Sequence, residues 1–200
     1  MGEDYENDLY TESTIYRYIN LSKAIILTID TLTLSSIKKG GIIDEKVMQN
    51  SLAGSYDDTK NTVDIINNFT SYLRQANGTA ITKKVQVPVA VVLTKFDTIL
   101  SHKSFFQNAL IRQPSLNLKD GKVNIKEINQ IDEEIKNWLY EIGEGSFIEA
   151  LKSNFKEFVF FGVSSYGEPP VGTDTLNNYI KPHRILDPIL WIFKKLDFIK

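Results

Sequence analysis

The chain has 200 residues, 42 % hydrophobic and 24 % charged, the composition of one globular domain large enough to bury most of its unfolded surface. A formal charge of −2 provides no basic field for nucleic acid and no polybasic patch for a membrane surface. Cysteine is absent, which excludes disulfides and thiolate metal sites. No apolar run approaches the length of a bilayer span, and the acidic start, Met1 to Asp8, lacks the apolar stretch of an export signal. A cytoplasmic location is therefore expected.

Taken in chain order, the first strong element is Ala24 to Asp30, a continuous apolar run that predicts a strand covered on both faces. Residues 32–56 are polar and broken by Gly40 and Gly41, and are expected as an insert wandering over the surface. Val63, Ile66, Phe69, Leu73 and Ala76 recur at helical spacing, with Asp57 or Asp58 as the cap and Asn77-Gly78 as the stop. Pro88 to Thr94 is the second buried strand. Residues 114–126 read as a hairpin insert around Asp120-Gly121, with Leu118 facing Val123 and Leu116 facing Ile125.

Ile128, Ile131, Ile135, Trp138, Leu139 and Ile142 form a second helical stripe, and Phe158 to Ser165 a third buried strand. Ile185, Ile189, Ile192, Phe193 and Leu196 form a last stripe after Pro182. Strands alternating with helices predict an α/β fold: three layers, a mostly parallel sheet flanked by helices, with the small hairpin outside it. Residues 1–200 are expected to be one domain.

In open parallel sheets, ligands bind outside the carboxyl ends of the strands. Those ends are Asp30-Thr31, Thr94-Lys95-Phe96-Asp97 and Ser164-Ser165. A carboxylate at Asp97 can accept two adjacent N–H donors in one bidentate contact. A purine edge that offers such a pair, as guanine does, suits it; adenine presents a lone pair there instead. A solvated Lys–Asp ion pair at a strand end is the plain alternative.

Thr94-Lys95-Phe96-Asp97 after an apolar strand resembles the Asn/Thr-Lys-x-Asp guanine-recognition motif of the P-loop GTPase superfamily, in its small-GTPase and translation-factor class. Ser164-Ser165 stands where that family completes its base pocket with Ser-Ala or a near variant. The resemblance implies that Asp97 reads the base and Lys95 lays its stem along a face of it. Thr94 would tie the loop to its neighbours and, with Ser165, support the base, a backbone N–H near Ser165 donating to the guanine carbonyl; Ser164 belongs to the same nucleotide-binding set. Gly2-Glu3, ahead of a helical stretch, is similar to the end of the Asp-x-x-Gly switch motif, which implies a role for both residues near the terminal phosphate and the attacking water. The closing stretch from His183 to Leu196 resembles the terminal helix of bacterial double-GTPase-type domains.

The departures are as clear. No Gly-x-x-x-x-Gly-Lys-Ser/Thr occurs, so the phosphate cradle, its lysine and the Mg²⁺-binding hydroxyl are missing from this sequence. The resemblance therefore implies that a P-loop segment lies upstream, that the complete protein binds GTP or GDP with Mg²⁺ and hydrolyses GTP as a switch, and that a protein partner or companion domain is engaged. This chain alone would bind guanine nucleotide weakly at best. The alternative is a non-catalytic interaction module that keeps a GTPase-like sheet. His102 and His183 have no partners at ligand spacing and are expected at the surface rather than at a metal.

Overall fold

In the computed structural model, residues 21–40, 43, 61–76, 78, 80–102, 104–115, 118–119, 122–168 and 180–199 are described. Three parallel strands, β1 (Ile25–Asp30), β2 (Val89–Thr94) and β5 (Phe158–Gly162), form the main sheet in the order β1-β2-β5. β3 (Leu118–Lys119) and β4 (Lys122–Val123) pair antiparallel in a separate two-stranded sheet. Among the described residues the helices are α1 (Ser35–Gly40), α2 (Thr62–Ala76), α3 (Asp97–Ser101), α4 (Ile125–Glu141), α5 (Gly145–Asn154) and α6 (Asp187–Lys195). No helix among the described residues is long and apolar enough to cross a membrane.

The pleat of the two inner strands divides the core. Val89, Val91 and Leu93 of β2 and Phe160 of β5 face one cluster with Ile66 of α2, Ile131, Ile135, Trp138 and Leu139 of α4, and Phe147, Ile148 and Leu151 of α5. Ala90 and Val92, with Val159, Phe161 and Val163, face a second cluster with Ile128 of α4 and Trp191 and Ile192 of α6. Helices cover both faces, as the alternation of strands and helices predicts.

Several expectations are corrected. β1 is buried on one face only: Ile26 is exposed, and among the described residues this strand is an edge. The described part of the expected surface insert folds instead. Thr31–Thr33 form a 3₁₀ turn leading into α1, and Leu32, Leu34 and Ile37 are fully buried. Helix α2 begins at Thr62, where Asn61 Oδ1 accepts from Val63 N–H at 3.3 Å; Asp57 and Asp58 lie outside the described residues. Leu118 does pair with Val123, but Ile125 opens α4, whose cap is the Asn124 side chain accepting from Glu127 N–H. The last stripe is buried only in part: Ile192 is buried and Leu196 packs against the second cluster as expected, whereas Ile185, Ile189 and Phe193 face outward and Pro188 and Trp191 complete the packing of α6.

The join between β2 and β5 continues past the strand ends. Val163 N–H donates to the Leu93 carbonyl at 2.9 Å, and Phe96 N–H donates to the Val163 carbonyl at 3.0 Å. Phe96 then turns inward, fully buried, with its ring 5.6 Å from Trp138 and 5.5 Å from Phe106 between centroids. Gly162 makes room for it: a Cβ at that position would lie 2.6 Å from the Phe96 ring. A Gly162→Ala substitution is therefore expected to destabilise the fold by about 1–3 kcal/mol through overpacking. The check is a lowered urea midpoint with an unchanged denaturant slope.

Candidate functional site

The three strand ends meet at one rim of the sheet, and hydroxyl groups fix their loops. Thr31 Oγ1 donates to the Thr94 carbonyl at 2.6 Å, and Thr94 Oγ1 donates to the Ile29 carbonyl at 3.3 Å, tying β1 to β2. Thr33 Oγ1 donates to the Asp30 carbonyl at 2.7 Å, and Thr98 Oγ1 donates to the Lys95 carbonyl at 2.7 Å. These bonds cluster where β1 and β2 end, and the Lys95 carbonyl also accepts from Thr98 N–H at 3.1 Å.

Lys95 occupies the left-handed region, with φ of 54°. That conformation is costly for a residue with a Cβ and is held here by its surroundings. Its Nζ lies 2.7 Å from Asp30 Oδ2, while Asp30 Oδ1 accepts from Leu32 N–H at 3.0 Å. The turn sends successive side chains to different places: Lys95 across the end of β1, Phe96 into the core, and Asp97 into the first turn of α3.

Asp97 is the unusual group. It is only 7 % exposed, yet among the described residues its carboxylate has no hydrogen-bond donor and no cation in contact. Its oxygens keep access to solvent: among the described residues, the one fully buried side-chain N or O atom without a partner is Trp138 Nε1. Ser164 is differently engaged. Its backbone bridges to His183, its N–H donating to the His183 carbonyl at 3.1 Å and its carbonyl accepting from His183 N–H at 2.8 Å. Its hydroxyl accepts from Tyr166 N–H at 3.2 Å and Gly167 N–H at 2.8 Å, which closes the turn. Ser165 is exposed, and its backbone N–H has no acceptor among the described residues. The sheet thus brings Thr94, Lys95, Asp97, Ser164 and Ser165 to one rim; Gly2 and Glu3 lie outside the described residues.

Behind this rim lies a charged network that periodicity and motifs do not reveal. Arg184 is buried, and its Nη1 lies 3.0 Å from Glu127 Oε1 and 2.9 Å from Asp187 Oδ2. Its Nη2 donates to the Leu110 carbonyl at 3.1 Å and its Nε to the Ile111 carbonyl at 3.2 Å. The neighbouring His183 is half-buried rather than on the open surface, and its Nε2–H donates to the same Ile111 carbonyl at 2.8 Å. Since a carbonyl only accepts, the neutral ring carries its proton on Nε2. Burial pushes the His183 pKa below its usual value, opposed by the Ile111 carbonyl; Arg184 lowers it further, while Asp187 and Asp97 raise it. Arg184 and His183 together anchor the segment that returns to pair with Ser164.

An open depression nearby is lined by Ser115, Leu118, His183, Arg184, Asp187 and Leu190. Its polar groups bond to one another: Ser115 Oγ donates to Asp187 Oδ1 at 2.7 Å. Among the described residues, no three of His, Asp and Glu converge to hold a metal ion.

Removing the guanidinium by Arg184→Ala would leave Glu127 and Asp187 buried without their cation, an expected loss of about 3–5 kcal/mol in urea unfolding. A depressed histidine pKa also has a defined pH signature. Between the ordinary value near 6.5 and the lower folded-state value, the unfolded chain binds the extra proton. The stability from His183 is thus complete above about pH 6.5 and is lost as the pH falls through the folded-state value. His183→Gln, which keeps a donor for Ile111, is expected to flatten that acid-side slope in urea titrations run from neutral to mildly acid pH.

Comparison with protein-family models, with curated proteins and with solved structures finds no match, so the chemistry of the rim itself carries the functional reading.

Proposed function

We propose that the chain is a guanine-nucleotide-binding domain, the base-recognition part of a GTPase that binds and hydrolyses GTP as a switch. The observation that carries the reading is Asp97 at the end of the central strand, a residue only 7 % exposed whose carboxylate oxygens stay open to solvent and have no partner among the described residues. A group in that state is suited to two N–H donors brought by a ligand, and guanine supplies them as its ring N–H and its exocyclic amine. The open Ser165 N–H, just past the strand that pairs with β2, suits the guanine carbonyl oxygen. Adenine would set a lone pair against the Asp97 carboxylate and displace its water without replacing it by donors, which is how such a site discriminates.

The residues present fit the base half of the nucleotide. The sequence holds no Gly-x-x-x-x-Gly-Lys-Ser/Thr cradle for the phosphates and Mg²⁺, so the reading assigns those to a P-loop segment outside this sequence. Two charge-assisted hydrogen bonds contribute about 1.5–3 kcal/mol each. Association costs about 4–15 kcal/mol in lost freedom. The chain by itself is therefore expected to bind weakly, and tight GTP binding and hydrolysis to require a P-loop segment. A second reading, a non-catalytic interaction module on a GTPase-like sheet, draws on the exposed apolar residues of and around α6, including Leu186, Phe193 and Phe198.

Calorimetric or NMR titration with GTP and ATP separates the two. Weak binding of GTP in preference to ATP, with the preference lost and GTP affinity reduced at least about tenfold in Asp97→Ala, is the expected result. Equal affinity for the two nucleotides in the unmutated chain would leave the interaction module as the better account.

A further inference from the structure

The ion pair between Lys95 and Asp30 crosses from one strand end to the next, and its function is not explained by holding the sheet together. Asp30 and Thr94 are already register partners in the β1–β2 ladder, and the hydroxyls of Thr31 and Thr94 already tie the two loops. Resting on the guanine reading above, we propose that Asp30 is a positioning residue for nucleotide recognition: it pins the Lys95 ammonium so that the lysine stem lies across the sheet rim as a ready-made surface for the base.

The geometry favours this in three respects. First, Asp30 is itself immobilised: Oδ1 accepts from Leu32 N–H at 3.0 Å, its carbonyl accepts from Thr33 Oγ1 at 2.7 Å, and its side chain is 10 % exposed. A fixed, buried acceptor makes a stiffer anchor than a solvated one. Second, the left-handed backbone of Lys95 sets where its side chain leaves the turn, and the 2.7 Å contact sets where it ends. With both ends of the stem defined, its methylenes have little freedom left to lose when a ligand stacks on them. Third, the Lys95 side chain is 37 % exposed while its anchor is not, so the stem keeps an open face. Asp30 would touch no ligand; it acts through Lys95.

Two contributions to binding are thereby separated. Asp97 would choose the base by its edge, whereas the Asp30–Lys95 pair would raise affinity through the flat face that all purines share. The test is a double-mutant cycle on the full chain, with GDP and ADP raised into the millimolar range and binding read from NMR chemical shifts. Asp30→Asn keeps an oxygen for the Leu32 N–H but removes the charge. It is expected to weaken GDP binding about threefold to tenfold in the unmutated background and to have no effect in Lys95→Met. Asp30→Ser, which keeps a hydroxyl for the same N–H, serves where the asparagine variant misfolds, and the cycle is read in the same way. A purely structural role for Asp30 would weaken binding equally in both backgrounds, and that result overturns the proposal while leaving the guanine reading intact. If the unmutated chain binds GDP no better than ADP, the guanine reading and this proposal fall together.

Discussion

The rim depends on where Phe96 goes. Its ring fills a place against the backbone of Gly162, in contact with Phe106 and Trp138, and it drags the chain inward at the moment β2 ends. A turn whose middle residue is driven into the core by apolar burial cannot drift, because moving it would expose a full aromatic side chain. Lys95 and Asp97, on either side of Phe96, inherit that fixity. The strained backbone at Lys95 is tolerated for the same reason: the buried ring and the ladder bond from Phe96 N–H to the Val163 carbonyl hold the turn closed. A hydrophobic residue thus positions two charged ones, and the turn is held rigid by packing.

Burial patterns also decide what the sequence discloses. The three strands were legible because each is an apolar run too short for a helix, flanked by residues that break the pattern. The half-exposure of β1 was not legible, since Ile26 in isolation looks as buried as Ile29; the difference lies in which neighbours the fold supplies. Leu32, Leu34 and Ile37 were hidden by the lysines, serines and glycines around them, although an alternating then helical spacing was there to be read. On the final helix the stripe was right at Ile192, but Ile185, Ile189 and Phe193 stay exposed, and packing selected the larger indole of Trp191 and the adjoining Pro188 instead.

The residues of the β2 turn stand together in the sequence, whereas those of the network behind it do not. Thr94, Lys95 and Asp97 stand within four consecutive positions, so their spacing is visible in the sequence. Arg184 and Glu127 are 57 positions apart, and nothing in either segment announces the other. A buried guanidinium holding two carboxylates and two carbonyls is a tertiary fact, set by how α4, α6 and the 3₁₀ turn Leu110–Arg112 converge. The one available signal was a charged residue beside a histidine at the head of a helix that otherwise looked like packing material. Even the residue between Lys95 and Asp97, which a motif writes as any amino acid, is the structural anchor of the turn.

The two sides of the main sheet are finished differently. Ladder bonds from Val163 and Phe96 join β5 to β2, so the alternate amide of Phe160 points to the far rim, where Asp132 of α4 accepts it at 2.8 Å. Lys136 in turn holds the other oxygen of Asp132 at 2.6 Å, so a side chain stands where a fourth strand would dock on that side. β1 carries no such plug among the described residues and shows Ile26 and Thr28 outward. The β5 flank is therefore closed to strand addition by a side chain and its lysine, a blunt edge built from α4 rather than from a further strand.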